Sequence, residues 1–323
     1  MVIVQNDSYG LFRVSHSYNP PQIHSPTYVQ ARRVGWLFAL ESYSAGFFMT
    51  FQELLKSGEA RLSAAGISDP GPDAWFLLEY AAKLDRNAYY MRMNEGAPQE
   101  VSADFECAVS KRCERVPLQY ITGVQGFMGL TLNVNSSVLI PRPETESVVE
   151  CALSVISPGY RVLDMCTGSG AIAISLYRNQ PGIEVVAADV SKAAVLLAKE
   201  NAKKYDAKIE FITGNLFDRV TGVFDCIVSN PPYIVEAEIP GLMPEVSLFE
   251  PIEALNGGPD GLDFYRRIAK EAPAFMREGA HLVLETGCDQ GESVSSILRK
   301  NGFVGVEVRQ DLSGRDRIVM AIR

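Results

Sequence analysis

Histidine is scarce in this chain. Three occur in 323 residues (His16, His24 and His281), and the first two lie in a poor N-terminal stretch. That shortage argues against histidine-dependent nucleophilic or metal catalysis. The six cysteines (Cys107, Cys113, Cys151, Cys166, Cys226 and Cys288) form no C-x-x-C pair and mostly sit inside apolar runs. They read as free core thiols in a reducing compartment, so neither a disulfide frame nor a metal site is expected. No apolar run reaches membrane-spanning length, because Glu41 interrupts the stretch after Trp36–Leu40. Arg32-Arg33 precede that segment but no convincing cleavage site follows, so neither export nor membrane attachment is expected. Positive charge is also short. The net charge of −9 and pI near 5.0 argue against a general nucleic-acid binder, whose footprint is usually basic.

What is present describes an ordinary globular protein with room for a substantial core: 47% hydrophobic and 21% charged residues. Residues 1–48 lack clear periodicity, are rich in Ser, Tyr, Asn and Pro, and contain only Asp7 and Glu41 as acids. They read as an irregular extension, with Met49 a fresh beginning. Thr50 with Glu53 three residues on has the form of a capping box. From Met49 to about Val116 the pattern is helical, with Phe51, Leu54, Leu55 and Leu62 at helix spacing. Asp73 is placed to cap a helix over 74–84 whose face is Trp75, Leu78 and Ala82; another helix is expected over 101–115. Phe127–Val134 has strand propensity around Gly129, which predicts a hairpin. Next come Pro141, Arg142 and Pro143 before an acidic helix start. Spacing alone favours a linker and cap, the alternative being that Arg142 lines the mouth of a site.

From Gly159 strand and helix alternate, the pattern of a doubly wound sheet. A strand over 161–164 is followed by Cys166, Thr167, Gly168, Ser169 and Gly170, then by a helix. A glycine-rich turn there lets backbone N–H groups approach a ligand. The next strand ends at Asp189, 19 residues after Gly170, where a carboxylate suits ribose hydroxyls or caps the helix that follows. After the third strand, Asn215 is placed for an adenine edge and Leu216 for its face. The fourth strand delivers Asn230-Pro231-Pro232-Tyr233. The Asn230 side-chain oxygen and the Pro231 carbonyl are two acceptors able to grip an NH2 group, with Tyr233 stacking on the plane that carries it. The same four residues also suit a strand stopped by a proline turn with a core tyrosine. The turn Gly257–Gly261 is expected to lead into a helix running to about Arg277. A fifth strand, a helix and a closing β pair complete the chain.

The glycine turn, Asp189, Asn215 and Asn230 fall at carboxyl ends of successive strands, so they converge on one crevice. A nucleoside site beside an NH2-gripping corner points to methyl transfer from S-adenosylmethionine, which needs alignment more than a strong base. A dehydrogenase is disfavoured, because the two glycines are separated only by Ser169 and lack the G-x-G-x-x-G spacing.

Over about residues 50–323 the sequence resembles the bacterial-type peptide chain release factor glutamine methyltransferases. The matching features are Pro117–Gly123, Pro141–Glu146, Asp164–Gly170, Asn230–Tyr233, Asn256–Tyr265 and Gly314–Arg317. The resemblance implies a seven-stranded Rossmann-like class I methyltransferase domain (159–323). A small all-helical substrate-docking domain (49–116) and a β-hairpin linker (117–158) precede it. It implies S-adenosylmethionine as cofactor and, as partner, a class I release factor, methylated on the glutamine of its Gly-Gly-Gln loop. Cys166 to Gly170, Asp189, Asn215, Leu216 and Asn230 are then the cofactor contacts. Asn230, Pro231, Pro232 and Tyr233 hold the glutamine together with Arg142, and Asn230, Pro231 and Tyr233 carry the catalysis. A cytoplasmic monomer with no nucleic-acid substrate is expected; the alternative is amino methylation of DNA or RNA, adenine-N6 type. Cys166 stands where the family usually has glycine, which makes that loop less permissive or leaves an unstrained backbone.

Overall fold

The computed structural model describes residues 49–323; the expectation of an irregular extension over 1–48 lies outside the described residues. The chain opens with α1 (Phe51–Ala64), and Thr50 caps it reciprocally. The Thr50 N–H donates to the Glu53 carboxylate (2.8 Å) while the Glu53 N–H donates to Thr50 Oγ1 (3.2 Å). α2 (Pro70–Ala82), α3 (Arg86–Arg92), α4 (Gln99–Cys113) and a short α5 (Leu118–Thr122) follow. Phe51, Leu54, Leu62, Trp75, Leu78 and Phe105 form their common core. Gly58 lets α1 and α4 touch, since a Cβ there would sit 2.5 Å from the Phe105 ring. The expected cap at Asp73 is overturned. α2 starts at Pro70, whose missing N–H costs nothing in a first turn. Asp73 instead lies inside the helix and takes a hydrogen bond from Arg112 Nε at 2.7 Å.

The hairpin is β1 (Val124–Phe127) and β2 (Leu130–Asn133), antiparallel, turning at Met128-Gly129. Then α6 (Pro143–Leu153) leads into the sheet strands β3 (Arg161–Met165), β4 (Glu184–Asp189), β5 (Ile209–Thr213) and β6 (Phe224–Ser229). β7 (Met276–Glu285), β8 (Val304–Gln310) and β9 (Asp316–Ile322) complete it. The order is β5-β4-β3-β6-β7-β9-β8, parallel except for β9, which runs antiparallel to both neighbours. Helices α7 (Ala171–Asn179), α8 (Lys192–Lys204), α10 (Asp263–Glu271) and α11 (Gly291–Lys300) lie between strands; a short α9 (Pro244–Ser247) follows β6. Side chains alternate between two buried layers. Leu163, Met165, Ile227 and Leu282 enter one, Val162, Cys226, Val228 and Val283 the other. Burial on both faces is why these strands read as near-continuous apolar runs.

Two further expectations are corrected. The helix after Gly261 stops at Glu271, because Pro273 has no N–H to extend it; a 3₁₀ turn then delivers the chain to β7 at Met276. The cysteines are free, but only Cys226 is fully buried, while Cys107 and Cys288 are exposed.

Candidate active site

β3 has β4 on one side and β6 on the other, so chain direction along the sheet reverses between β3 and β6. Crevices form outside the carboxyl ends of strands at such a point. Met165 pairs with Ser229 at the ends of these two strands, and the Ser229 hydroxyl donates to the Met165 carbonyl at 2.7 Å. The residues immediately beyond are Cys166 and Asn230. A cavity of about 570 Å³ opens there, within the range of about 300–1,000 Å³ typical of small-molecule sites.

Cys166, Thr167, Gly168, Ser169, Asp189, Asn215, Leu216, Asn230, Pro232 and Arg142 all line this cavity. Three other expected residues do not. Gly170 sits behind the loop as the residue before α7, where a Cβ would press on Ala198 and Ile174. Pro231 is buried beside the cavity. Tyr233 packs its ring against the core beneath the sheet's end and donates its hydroxyl to Glu285 (3.4 Å), so it offers the cavity no stacking face.

The glycine-rich loop is fastened from both sides. Asp164 is fully buried; its Oδ2 accepts from the Thr167 hydroxyl (2.6 Å) and the Ala173 N–H (3.0 Å). Burial outweighs those bonds and pushes its pKa up to about 7. Asp189 accepts the Gly168 N–H on one oxygen and the Ser191 N–H on the other, each at 2.9 Å. Burial raises its pKa against these backbone donors. The α8 cap is Ser191, whose hydroxyl oxygen takes the Ala194 N–H; the capping role considered for Asp189 falls to its neighbour. Cys166 and Leu216 both have left-handed backbone, φ +63° and +51°. The unstrained backbone considered for Cys166 is therefore absent, and strain of this kind gathers at functional sites.

Arg142 is neither linker nor cap. Its guanidinium grips both oxygens of Glu250 at 2.7 Å, and the Glu250 side chain is 1% exposed. Asn215 Oδ1 accepts from Arg267 Nη1 at 2.9 Å, so the expected adenine contact shares its oxygen with an arginine. Residues that the sequence reading passed over complete the corner. Gln290 Nε2 donates to the Tyr233 carbonyl (2.9 Å), and the Asn230 Nδ2 donates to Thr145 Oγ1 (3.3 Å). A Cβ on Gly257 would lie 2.7 Å from the Tyr233 backbone, which explains the glycine there. Glu285 was discoverable by the rule that found Asn230, since it too closes a parallel strand at its carboxyl end.

Comparison with known proteins gives this geometry a family. Residues 53–123 match the PrmC N-terminal domain and residues 148–243 the methyltransferase small domain. A release factor glutamine methyltransferase from Cereibacter sphaeroides is 40% identical over 275 residues, 84% of this chain and 98% of that one. The chain belongs to the release factor glutamine methyltransferase family. A second member, from Moorella thermoacetica, is 41% identical over 85% of this chain and 99% of its own. A crystal structure of a release-factor-specific protein-(glutamine-N5) methyltransferase from Alicyclobacillus acidocaldarius is 33% identical. It covers 59% of this chain and 99% of its own with a TM-score of 0.37. As a member of this family the protein is an S-adenosylmethionine-dependent methyltransferase. The cavity fits that cofactor. A Cβ on Gly168 would meet no protein atom within 4 Å, so the glycine leaves open space. The Asp189 carboxylate and the apolar Met165, Ala188 and Leu216 share the same wall.

Proposed function

We propose that this protein methylates the side-chain amide nitrogen of the glutamine in the Gly-Gly-Gln loop of class I release factors, in the cytoplasm. One observation carries the reading. Asn230 reaches the cavity with its nitrogen tied to Thr145, and among the described residues nothing donates to its oxygen. An acceptor held in this way awaits an NH2 group. When bound, S-adenosylmethionine supplies a methyl group on a sulfonium, an electrophile that needs no further activation. The loop 166–169 and Asp189 hold its nucleoside end, the carboxylate spending its remaining lone pairs on ribose hydroxyls; Asn215 and Leu216 take the base.

Asn230 Oδ1 and the Pro231 carbonyl then accept the two hydrogens of the glutamine carboxamide. Fixing both N–H bonds turns the nitrogen's lone pair out of conjugation and toward the donor. The contribution is alignment in a closed, poorly hydrated space. No strong base is required, because the nitrogen sheds its proton after the new C–N bond forms. Tyr233 braces the corner from below, and Pro232 and Arg142 shape the entrance. The helices of 49–116 dock the substrate protein.

Incubation with methyl-labelled S-adenosylmethionine and a class I release factor tests this directly. Label is expected in the peptide containing Gly-Gly-Gln. Label in DNA or RNA instead, or in no substrate, would overturn the assignment.

A further inference from the structure

Asn230 is a carboxamide, and a carboxamide has two ends of similar shape and opposite hydrogen-bonding sense. Its use as an acceptor depends on which end faces the cavity. The backbone does not settle this, because rotating the terminal group by half a turn exchanges oxygen for nitrogen.

The surroundings do. Asn230 touches Thr145, in the first turn of α6, 4% exposed and lining the same cavity. Behind Thr145 lies Glu285, the last residue of β7, 1% exposed. One Glu285 oxygen accepts the Tyr233 hydroxyl; the other is buried with no settled hydrogen-bond partner. The Thr145 hydroxyl is within reach of this carboxyl and is the leading group that counters the effect of its burial.

The donors can now be counted. A carboxylate only accepts, and a threonine hydroxyl owns one hydrogen and two lone pairs. With its hydrogen committed to Glu285, Thr145 shows Asn230 only lone pairs. Those lone pairs are satisfied by the NH2 end and repelled by the oxygen. We infer that Glu285 and Thr145 form a relay that fixes the amide orientation of Asn230, keeping its oxygen toward the incoming substrate nitrogen. Both are positioning residues: Thr145 acts through Asn230, and Glu285 acts through Thr145. The inference rests on the function proposed above and adds how its acceptor is specified. It also gives Tyr233 a second use, since its hydroxyl takes up the lone pairs of the other Glu285 oxygen.

The test compares Thr145→Val, Thr145→Ser, Glu285→Gln and the Thr145→Val/Glu285→Gln double variant with the wild type at mildly alkaline pH. It reads kcat on release factor together with S-adenosylmethionine affinity by calorimetry. Thr145→Val keeps the shape but loses the relay. We expect its kcat to fall by roughly tenfold or more, within the range of about 10²–10³ seen when an oriented donor is lost outright. Cofactor affinity should stay within about threefold, and Thr145→Ser should restore most of the rate. Glu285→Gln should fall in the same direction, and the double variant should be no worse than the poorer single, because partners in one relay are not additive. If Thr145→Val does not fold, Glu285→Gln and Thr145→Ser carry the same comparison. A wild-type enzyme that labels release factor while Thr145→Val turns over equally fast would overturn the relay alone. Additive losses in the double variant, or a rate loss matched by lost cofactor affinity, would also overturn it. A wild-type enzyme that leaves release factor unlabelled would take the proposed function with it.

Discussion

Two side chains divide the work of the cavity, and substitutions separate them. Asn230→Ala removes an acceptor that matters most while the nitrogen is being aligned. Its turnover should drop by on the order of 10²–10³, with cofactor affinity within about threefold. Stopped-assay rates beside calorimetry check this; an unchanged turnover number removes Asn230 from the chemistry. Asp189→Ala should do the opposite. A hydrogen bond to a charged group contributes about 1.5–3 kcal/mol, and each 1.4 kcal/mol is about tenfold in affinity. Cofactor binding should therefore weaken by roughly 10- to 100-fold, with turnover at saturating cofactor nearly preserved. Both residues were readable from the sequence, because each stands at the carboxyl end of a strand with turn residues beyond it. Thr145 was not singled out, since its value lies in a contact with a residue 85 positions away.

Between elements, the segment after β6 is tied down at two places. Glu250 is held by Arg142, and Glu245 accepts from Arg112 Nη1 (2.8 Å) and Arg115 Nη2 (2.9 Å), both from the end of α4. Pro251, Glu253, Ala254 and Asn256 of the same segment line the cavity, so the helical part of the chain helps to shape the site. Arg112 also holds Asp73 at 2.7 Å, and its side chain is 9% exposed. Removing one member of such a buried pair leaves its partners uncompensated, typically costing about 3–5 kcal/mol. Arg112→Ala should lose stability on that scale in urea denaturation. Arg92→Ala, which breaks an exposed pair with Glu95, should lose less than about 1 kcal/mol. The sequence showed the helices through their apolar spacing, but an ion pair spanning 133 positions leaves no periodic trace. That is why Asp73 read as a helix cap. Tyr233 misled for a related reason: the same aromatic beside a proline turn serves a ligand or a core, and only packing decides.

For the molecule as a whole, two buried carboxyls set a pH dependence. Asp164 and Glu285 are both pushed up to about 7 in the fold, chiefly by burial, from ordinary values of 3.8 and 4.5. Between those limits the folded state binds the protons that the unfolded chain has released. Stability from these groups is therefore greatest near and below the ordinary carboxylate range and is lost as pH rises toward 7. The slope is on the order of 1.4 kcal/mol per pH unit for each group. Thermal melts from pH about 5 to 8 should show that decline, and Glu285→Gln should flatten part of it; an identical slope in the variant contradicts the assignment. The sheet was legible because strands buried on both faces run apolar and break at Gly, Asn and Asp. Strand order was not, because the sequence order of β8 and β9 is reversed in space.

That reversal has a consequence for how the chain is completed. β9 is not a rim strand: residues 316–322 are wedged between β7 and β8 and hydrogen-bond to both. A polypeptide cut at Arg315 would lose an inner plank, leaving β7 with a bare flank and β8 with no neighbour at all. A nascent chain likewise must have Ile322 in hand before its sheet can close. The least tolerant stretch for truncation is therefore the last one made.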